Sequence, residues 1–161
     1  MSYIIEKLKK RKPRFHKSHQ ENILDRFSRK FGGSEKDKFE KGKFFSNNYE
    51  CYIFATMLGI KNNYKIPFDR TTDGADFSMP IETWKPTQIV DYIIMSVIGR
   101  SDWNLLEIER LDEKELDNKI TELIILMEEY TNGGFDIMKA KMSEVPHFFE
   151  SEYAMINLLK E

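Results

Sequence analysis

Apolar residues fall at helical spacing along most of the chain, and the clearest run lies late. Leu116, Ile120, Leu123, Ile124, Met127 and Tyr130 recur at three- and four-residue steps and so line one helical face. Asp112 and Glu115 before them have capping-box spacing. Ile125 and Leu126 widen the stripe and predict burial on more than one side. Asn132-Gly133-Gly134 follows, and glycine readily takes the backbone angles of a helix C-cap, so the pattern predicts a stop there. Phe135, Ile137, Met138 and Met142 restart an apolar face at once, which predicts a corner between two helices.

The same periodicity organises the rest. Tyr3, Ile4, Ile5 and Leu8 form a short apolar patch, interrupted at Pro13. Ser18 with Glu21 opens a second helix carrying Ile23, Leu24, Phe27 and Phe31, closed by Gly32-Gly33. Residues 34–46, with Phe39, Phe44 and Phe45, predict a linker or frayed helix whose phenylalanines tuck against the body. Asn48 is a fair N-cap for a core helix with Tyr49, Tyr52, Ile53, Thr56, Met57 and Ile60 on one face. Gly59 and Asn62-Asn63 mark its end, and Ile66 before Pro67 is expected to be extended. Residues 69–86 predict a loop with short extended pieces, anchored by Trp84 and Pro86. Thr87 caps a helix whose Ile89, Val90, Ile93, Ile94, Val97 and Ile98 leave little polar face, so it is expected to be the most buried. Gly99 stops it, and Trp103, Leu105, Leu106 and Ile108 pack a short helix. Val145-Pro146-His147 turns the chain into a last helix capped by Ser151. The fold class expected is all-α: a compact bundle of about five to seven helices over residues 46–161, with a basic helical extension over residues 1–45.

Charge changes this picture. The 161 residues carry a formal net charge of −2, with 32% charged and 40% hydrophobic. Residues 1–43 hold 14 Lys and Arg against 6 Asp and Glu, while the remainder holds 11 against 21. A basic arm on an acidic body is implied. Two readings of the arm stand open. Its cations dock on the acidic body or solvate it, or they contact nucleic-acid phosphates, with Lys9, Lys10, Arg11, Lys12, Arg14, Lys17, Arg26, Arg29 and Lys30 as candidates. The helix after residue 102 is acidic (Glu107, Glu109, Asp112, Glu113, Glu115), which argues against a helix-turn-helix reader. No apolar run approaches the ~18 residues of a membrane span. The apolar-then-basic order of the first residues is wrong for a secretory signal. The lone Cys51 lies in an apolar helical pattern and fits packing in a reducing cytoplasm.

Candidate chemistry is sparse. Asp69, Asp73 and Asp76 superficially suggest an oxygen-rich cation site, but the later glutamate of a calcium loop is missing. His16, His19 and His147 complete no metal set, and Glu128-Glu129 reads as a solvated face beside the core more readily than as a metal or partner pair. No phosphate-cradling loop, paired CxxC, HExxH or nucleophile elbow is present. The expectation is therefore no catalytic residue, no metal and no cofactor. A metal-dependent nuclease built from Asp69, Asp73, Asp76 and Glu128 or Glu129 is one alternative, and a structural oligomer using some of the eight methionines is another.

Three segments in order, YECYIFATMLGIKNNYKIPF (49–68), the Ile89–Ile98 helix with Asp102 to Leu106, and MEEYTNGGFDIM (127–138), carry a resemblance. Together they resemble the small accessory proteins associated with bacterial DNA phosphorothioation (Dnd) gene clusters, over roughly residues 47–142. The resemblance implies a setting of phage defence and DNA modification or restriction. It implies partner proteins of such a complex, no known reaction, and no catalytic residues to carry over. With the charge split it suggests a non-catalytic adaptor. Its acidic body, including the expected corner at Glu128, Glu129, Tyr130, Asn132, Gly133 and Gly134, would dock a partner, and its arm would touch DNA.

Overall fold

A computed structural model describes residues 2–29, 43–77 and 79–161. The fold is mainly helical, as expected, with one small sheet. Helix α1 is Ser2–Lys9, strand β1 is Arg14–His16, and a π-helical turn, Gln20–Leu24, runs into α2, Asp25–Phe27. Helix α3 is Asn48–Lys61, β2 is Gly74–Asp76, α4 is Thr87–Ile98 and α5 is Leu105–Ile108. Helix α6 is Glu113–Glu144, and α7 is Ala154–Lys160. Phe31, Phe39, the Gly32-Gly33 stop, Lys30 and most of the expected linker lie outside the described residues.

The expected corner at Asn132-Gly133-Gly134 does not exist. Helix α6 passes through it without a break and runs for 32 residues. Its N-terminus is as expected: Asp112 Oδ1 accepts from the Glu115 N–H at 2.8 Å, and the Glu115 carboxylate accepts from the Asp112 N–H at 3.1 Å. The glycines serve close approach instead. A Cβ on Gly134 would stand 1.8 Å from the Ala55 carbonyl oxygen, and one on Gly59 of α3 would stand 1.9 Å from the Tyr130 carbonyl oxygen. Each helix thus presents a glycine to the other's backbone. Gly133 lies beneath the extended segment after α3, where a Cβ would come within 2.0 Å of the Tyr64 carbonyl oxygen. One residue pair further on, the Ile66 N–H donates to the Glu129 carbonyl at 2.9 Å. Gly59 lies in the last turn of α3, which ends at Lys61 with Asn62 as its C-cap, as expected, and it serves there as a contact surface.

Burial follows from this crossing. Tyr130, Thr131, Asn132, Gly133, Gly134 and Phe135 are consecutive and all buried, so α6 is enclosed on every side there. Helix α4, expected to be the most buried, buries Val90, Ile93, Ile94, Val97 and Ile98 but leaves Ile89, Tyr92 and Met95 exposed. It covers the core from outside. Some caps also differ. Asn47, not Asn48, caps α3 and accepts from the Glu50 N–H at 3.0 Å. Thr87 and Ser18 make no cap; α4 starts after Pro86 and the π-turn after His19.

The N-terminal segment enters the same core. Ile4, Leu8, Phe15, Ile23, Leu24 and Phe27 are buried together with residues of α3, α4 and α6. Strand β1 pairs antiparallel with β2, Arg14 opposite Asp76 and His16 opposite Gly74. Phe15 points from this ribbon into a cluster with Phe77 and Phe135, at ring-centroid distances of 6.0 and 6.4 Å. Tyr52 and Trp84 close the cluster around Phe77. Residues 2–29 are therefore part of the folded body. The acidic loop expected at 69–86 supplies β2 and half the ribbon.

The glycine crossing makes a test with a definite sign. Alanine is the better helix former by about 1 kcal/mol, so propensity alone predicts that Gly134→Ala and Gly59→Ala stabilise. The backbone contacts predict the reverse, a loss of about 1–3 kcal/mol or more for each, since overpacking forces backbone shifts. Urea unfolding of the two variants reads the sign directly.

Candidate nucleic-acid interface

The N-terminal segment is fastened to the body at two polar points. In an antiparallel pair, alternate residues turn their N–H groups away from the partner strand. On β1 these belong to Arg14 and His16, and both point at α6. The Arg14 N–H donates to Glu128 Oε1 at 2.7 Å, and the His16 N–H donates to Asn132 Oδ1 at 3.0 Å. Two residues of strand advance about 6.6 Å and four of helix about 6 Å, so side chains at i and i+4 match N–H groups at i and i+2. The free edge of the ribbon is thereby covered. On the other side, the Tyr52 hydroxyl donates to the Arg14 carbonyl at 2.8 Å. Deeper still, the Thr56 and Thr131 hydroxyls are 2.7 Å apart between α3 and α6.

Glu128 is fully buried, so the solvated face expected at Glu128-Glu129 is corrected for the first of the two. Its carboxylate takes Arg70 in a fork: Nε donates to Oε2 at 2.7 Å and Nη2 to Oε1 at 3.0 Å. Burial pushes this carboxyl up, while the Arg70 guanidinium and the Arg14 N–H pull it down. With three donors aimed at it and no acceptor, the geometry is that of a carboxylate. Glu129 is partly exposed and lies 3.9 Å from Lys65. Tyr130, Asn132, Gly133 and Gly134, expected at a docking corner, are interior and bind other parts of this chain.

Outside this clamp lies a cleft of about 510 Å³ lined by Lys10, Arg11, Lys12, Arg14, Arg70, Asp76, Phe77, Thr121 and Ile124. Five cations thus face one carboxylate. The Arg14 guanidinium meets Asp76 at 2.8 Å and donates to the Arg70 carbonyl at 2.8 Å. Arg11 stands 3.6 Å from Asp117. Lys10 and Lys12 are exposed and make no side-chain ion pair or hydrogen bond among the described residues.

Of the arm's candidate cations, the structure brings Lys10, Arg11, Lys12 and Arg14 together and places Lys9, Lys17, Arg26 and Arg29 elsewhere, while Lys30 lies outside the described residues. Lys9 pairs with Asp91, and Lys17 stands 3.5 Å from Asp73. Arg26 is exposed beside the Phe27 ring, and Arg29 donates to Ser46 Oγ at 3.0 Å. Lys7, also in this segment, bridges Glu113 and Asp117 at 3.2 and 3.1 Å, and the Asp117 carboxylate raises its ammonium above the usual lysine range. Sequence reasoning missed Arg70, which sits among Asp69, Asp73 and Asp76 and so reads as part of an acidic loop. Only the fold carries it to the cleft.

The proposed cation set does not assemble. Asp69 Oδ1 accepts from the Thr71 and Thr72 N–H groups at 2.8 and 3.1 Å, which holds this carboxyl below its usual range. Asp73, Asp76 and Glu128 each face a cationic side chain, and no three His, Cys, Asp or Glu residues come together as metal ligands among the described residues. His16 Nδ1 is 2.7 Å from Ser18 Oγ instead of facing a metal. Cys51 is buried, and burial pushes its thiol up, away from reactivity. Among the described residues, no helix is long and apolar enough to cross a membrane.

Two outcomes follow for the clamp. Arg70→Leu leaves a buried carboxylate without its guanidinium and is expected to cost about 3 kcal/mol, much of it recovered in Arg70→Leu/Glu128→Leu. Urea melts of both variants check it. His19 is buried against Phe135, ring centroids 5.0 Å apart, and burial with the nearby His16 lowers its pKa from 6.5 to about 4. A proton therefore binds the unfolded chain first. Its contribution is complete above pH 6.5 and falls away as pH drops toward 4, by at most about 3 kcal/mol. The stability of wild type relative to His19→Phe, measured by urea unfolding from pH 8 to 4, should fall by that amount, because the variant lacks the titrating group.

No curated protein and no solved structure matches the chain. A family model does. It is described as DNA sulphur modification system-associated protein 4 and matches residues 34–160, which take in the crossing helices α3 and α6, Arg70 and β2, and leave out the cations contributed by residues 10–14. The glycine and asparagine positions on which the Dnd resemblance rests are those that the fold uses for close approach and for fastening β1, and the chain belongs to the family of DNA sulphur modification system-associated protein 4.

Proposed function

We propose that this protein is a non-catalytic accessory component of a DNA sulphur modification system that holds DNA by its phosphates in the cleft of Lys10, Arg11, Lys12, Arg14 and Arg70. The observation that carries this reading is the pair Lys10 and Lys12. They are exposed beside three guanidinium groups and lack any carboxylate partner among the described residues. Most other cations of the N-terminal segment, namely Lys7, Lys9, Arg11, Arg14 and Lys17, face carboxylates of the body. Those two are left to meet an outside anion.

The acidic body supplies the partner-docking half of the reading. Asp102, Glu107, Glu109, Asp112 and Glu115 are exposed around α5, and Leu106 stands 75% exposed among them. An exposed apolar side chain in a stretch where carboxylates outnumber the cations Arg110 and Lys114 suits a basic protein surface with a hydrophobic pocket and disfavours DNA. The two faces therefore sort a protein partner from a nucleic acid by sign of charge. The phage-defence setting implied by the family resemblance belongs to the same reading.

Because residues 2–29 belong to the core, point variants test the cleft better than truncation. Each lysine that neutralises a phosphate adds ~0.9 to the slope of log K against log salt on duplex DNA and ~0.7 on a single strand. Lys10→Ala/Lys12→Ala is expected to weaken DNA binding at every sequence and to lower that slope by about 1.4–1.8. Anisotropy titrations across a salt series measure both. An unchanged slope with unchanged affinity would remove the cleft from the reading.

A further inference from the structure

A second hollow shares a wall with the basic cleft. It measures about 550 Å³ and is lined by Phe15, Gln20, Asp25, Arg29, Asn47, Asn48, Tyr49, Asp76, Phe77 and Met79. Asp76 and Phe77 line both. The β1–β2 ribbon thus has a recess on either side of one short wall.

The two recesses differ in chemistry. The cleft presents five cations and one carboxylate. The second hollow presents one guanidinium against two carboxylates, together with three side-chain amides and three aromatic rings. Its lining carries no excess of cations to hold a phosphate. A neutral, flat ring with donors and acceptors on its edge suits it, because amides and carboxylates offer both senses of hydrogen bond. Several polar atoms there are uncommitted. Asn48 makes no side-chain hydrogen bond among the described residues. Gln20 uses only its Nε2, which donates to Asp25 Oδ1 at 2.7 Å, and Asn47 uses only its Oδ1. Apolar faces are also at hand. Tyr49 is half-buried and held parallel to Trp84, with 7° between the rings and 6.1 Å between centroids, and Met79 is 41% exposed. The volume falls in the ~300–1,000 Å³ range of small-ligand sites.

We propose that the two recesses form one site for a nucleotide unit of a single DNA strand, with its phosphates in the cationic cleft and its base, out of the stack, in the amide-lined hollow across the Asp76–Phe77 wall. This inference rests on the phosphate-binding reading of the cleft and adds the class of ligand. Asp76, which lines both recesses, is paired at 2.8 Å with Arg14, which lines only the cleft. A paired base in a duplex has its hydrogen-bonding edge occupied and its faces stacked, so the hollow selects an unpaired one. The base contributes affinity without salt dependence, and the backbone contributes salt dependence without sequence.

The test uses the full chain and labelled oligonucleotides of one length: a mixed-sequence single strand, the same backbone made wholly of abasic sites, and a duplex. At fixed salt the intact strand is expected to bind about 10-fold more tightly than the abasic one, with equal salt slopes. Asn48→Ala should narrow that gap several-fold and leave the slope alone. Lys10→Ala/Lys12→Ala should lower the slope and keep the gap. Intact and abasic strands binding alike, or a duplex binding as tightly as the single strand, would overturn the base pocket while leaving the cleft standing. Failure of all three ligands to bind would overturn the phosphate reading itself. Free dAMP competing at the strand's own concentration would show a mononucleotide site and defeat the assignment to a strand. The abasic comparison needs no variant, so it decides the matter even if Asn48→Ala misfolds.

Discussion

The structure depends on how closely α3 and α6 approach each other. Gly59 and Gly134 let each backbone lie against the other, where even a methyl group would meet a carbonyl oxygen at 1.9 or 1.8 Å. Glycine inside a helix costs about 1 kcal/mol relative to alanine, and the offset is the packing that close contact allows. The contact also fixes where everything else can sit. Gly133 lets the 64–66 segment lie across α6, and residues 130–135 of that helix are enclosed on all sides. An enclosed helix favours partners for the polar side chains it carries, and Glu128, Thr131 and the Asn132 Oδ1 all have them.

Those polar side chains connect packing to the candidate site. Glu128 and Asn132 capture β1, and Glu128 also holds Arg70. A cleft wall made of Arg14 and Arg70 therefore follows from one buried carboxylate on the central helix. The buried charge holds the Arg70 guanidinium and the Arg14 backbone, while the Arg14 guanidinium is set by Asp76 and the Arg70 carbonyl. The surface ion pairs of Lys7, Lys9, Arg11 and Lys17 add little stability individually. Their effect is to orient the N-terminal segment and to use up most of its charge, so that Lys10 and Lys12 stand apart.

Helix periods, the Asp112–Glu115 box, a short extended piece somewhere within residues 69–86, the buried Cys51 and the all-α class were legible before any coordinates. They depend on local sequence alone: spacing of apolar residues, a cap three residues from its partner, and the lack of a second cysteine. The family resemblance was legible for a related reason, since its glycine and asparagine positions exceed what helix period requires. The direction of the N-terminal charge was legible as well, and so was the possibility that much of it docks on the acidic body.

Tertiary structure decided the rest. Asn132-Gly133-Gly134 reads as a stop because glycine suits a C-cap, yet glycine equally suits a helix crossed at close range, and only the neighbouring backbone distinguishes the two. Glu128 reads as a surface residue beside Glu129, because charge is normally solvated, until Arg70 arrives from 58 residues away. Arg70 itself is hidden among aspartates along the chain and stands among lysines and arginines in space. Chain order sets the periodicity of each element; which of two compatible roles a glycine or a charge fulfils is set by what the fold places against it.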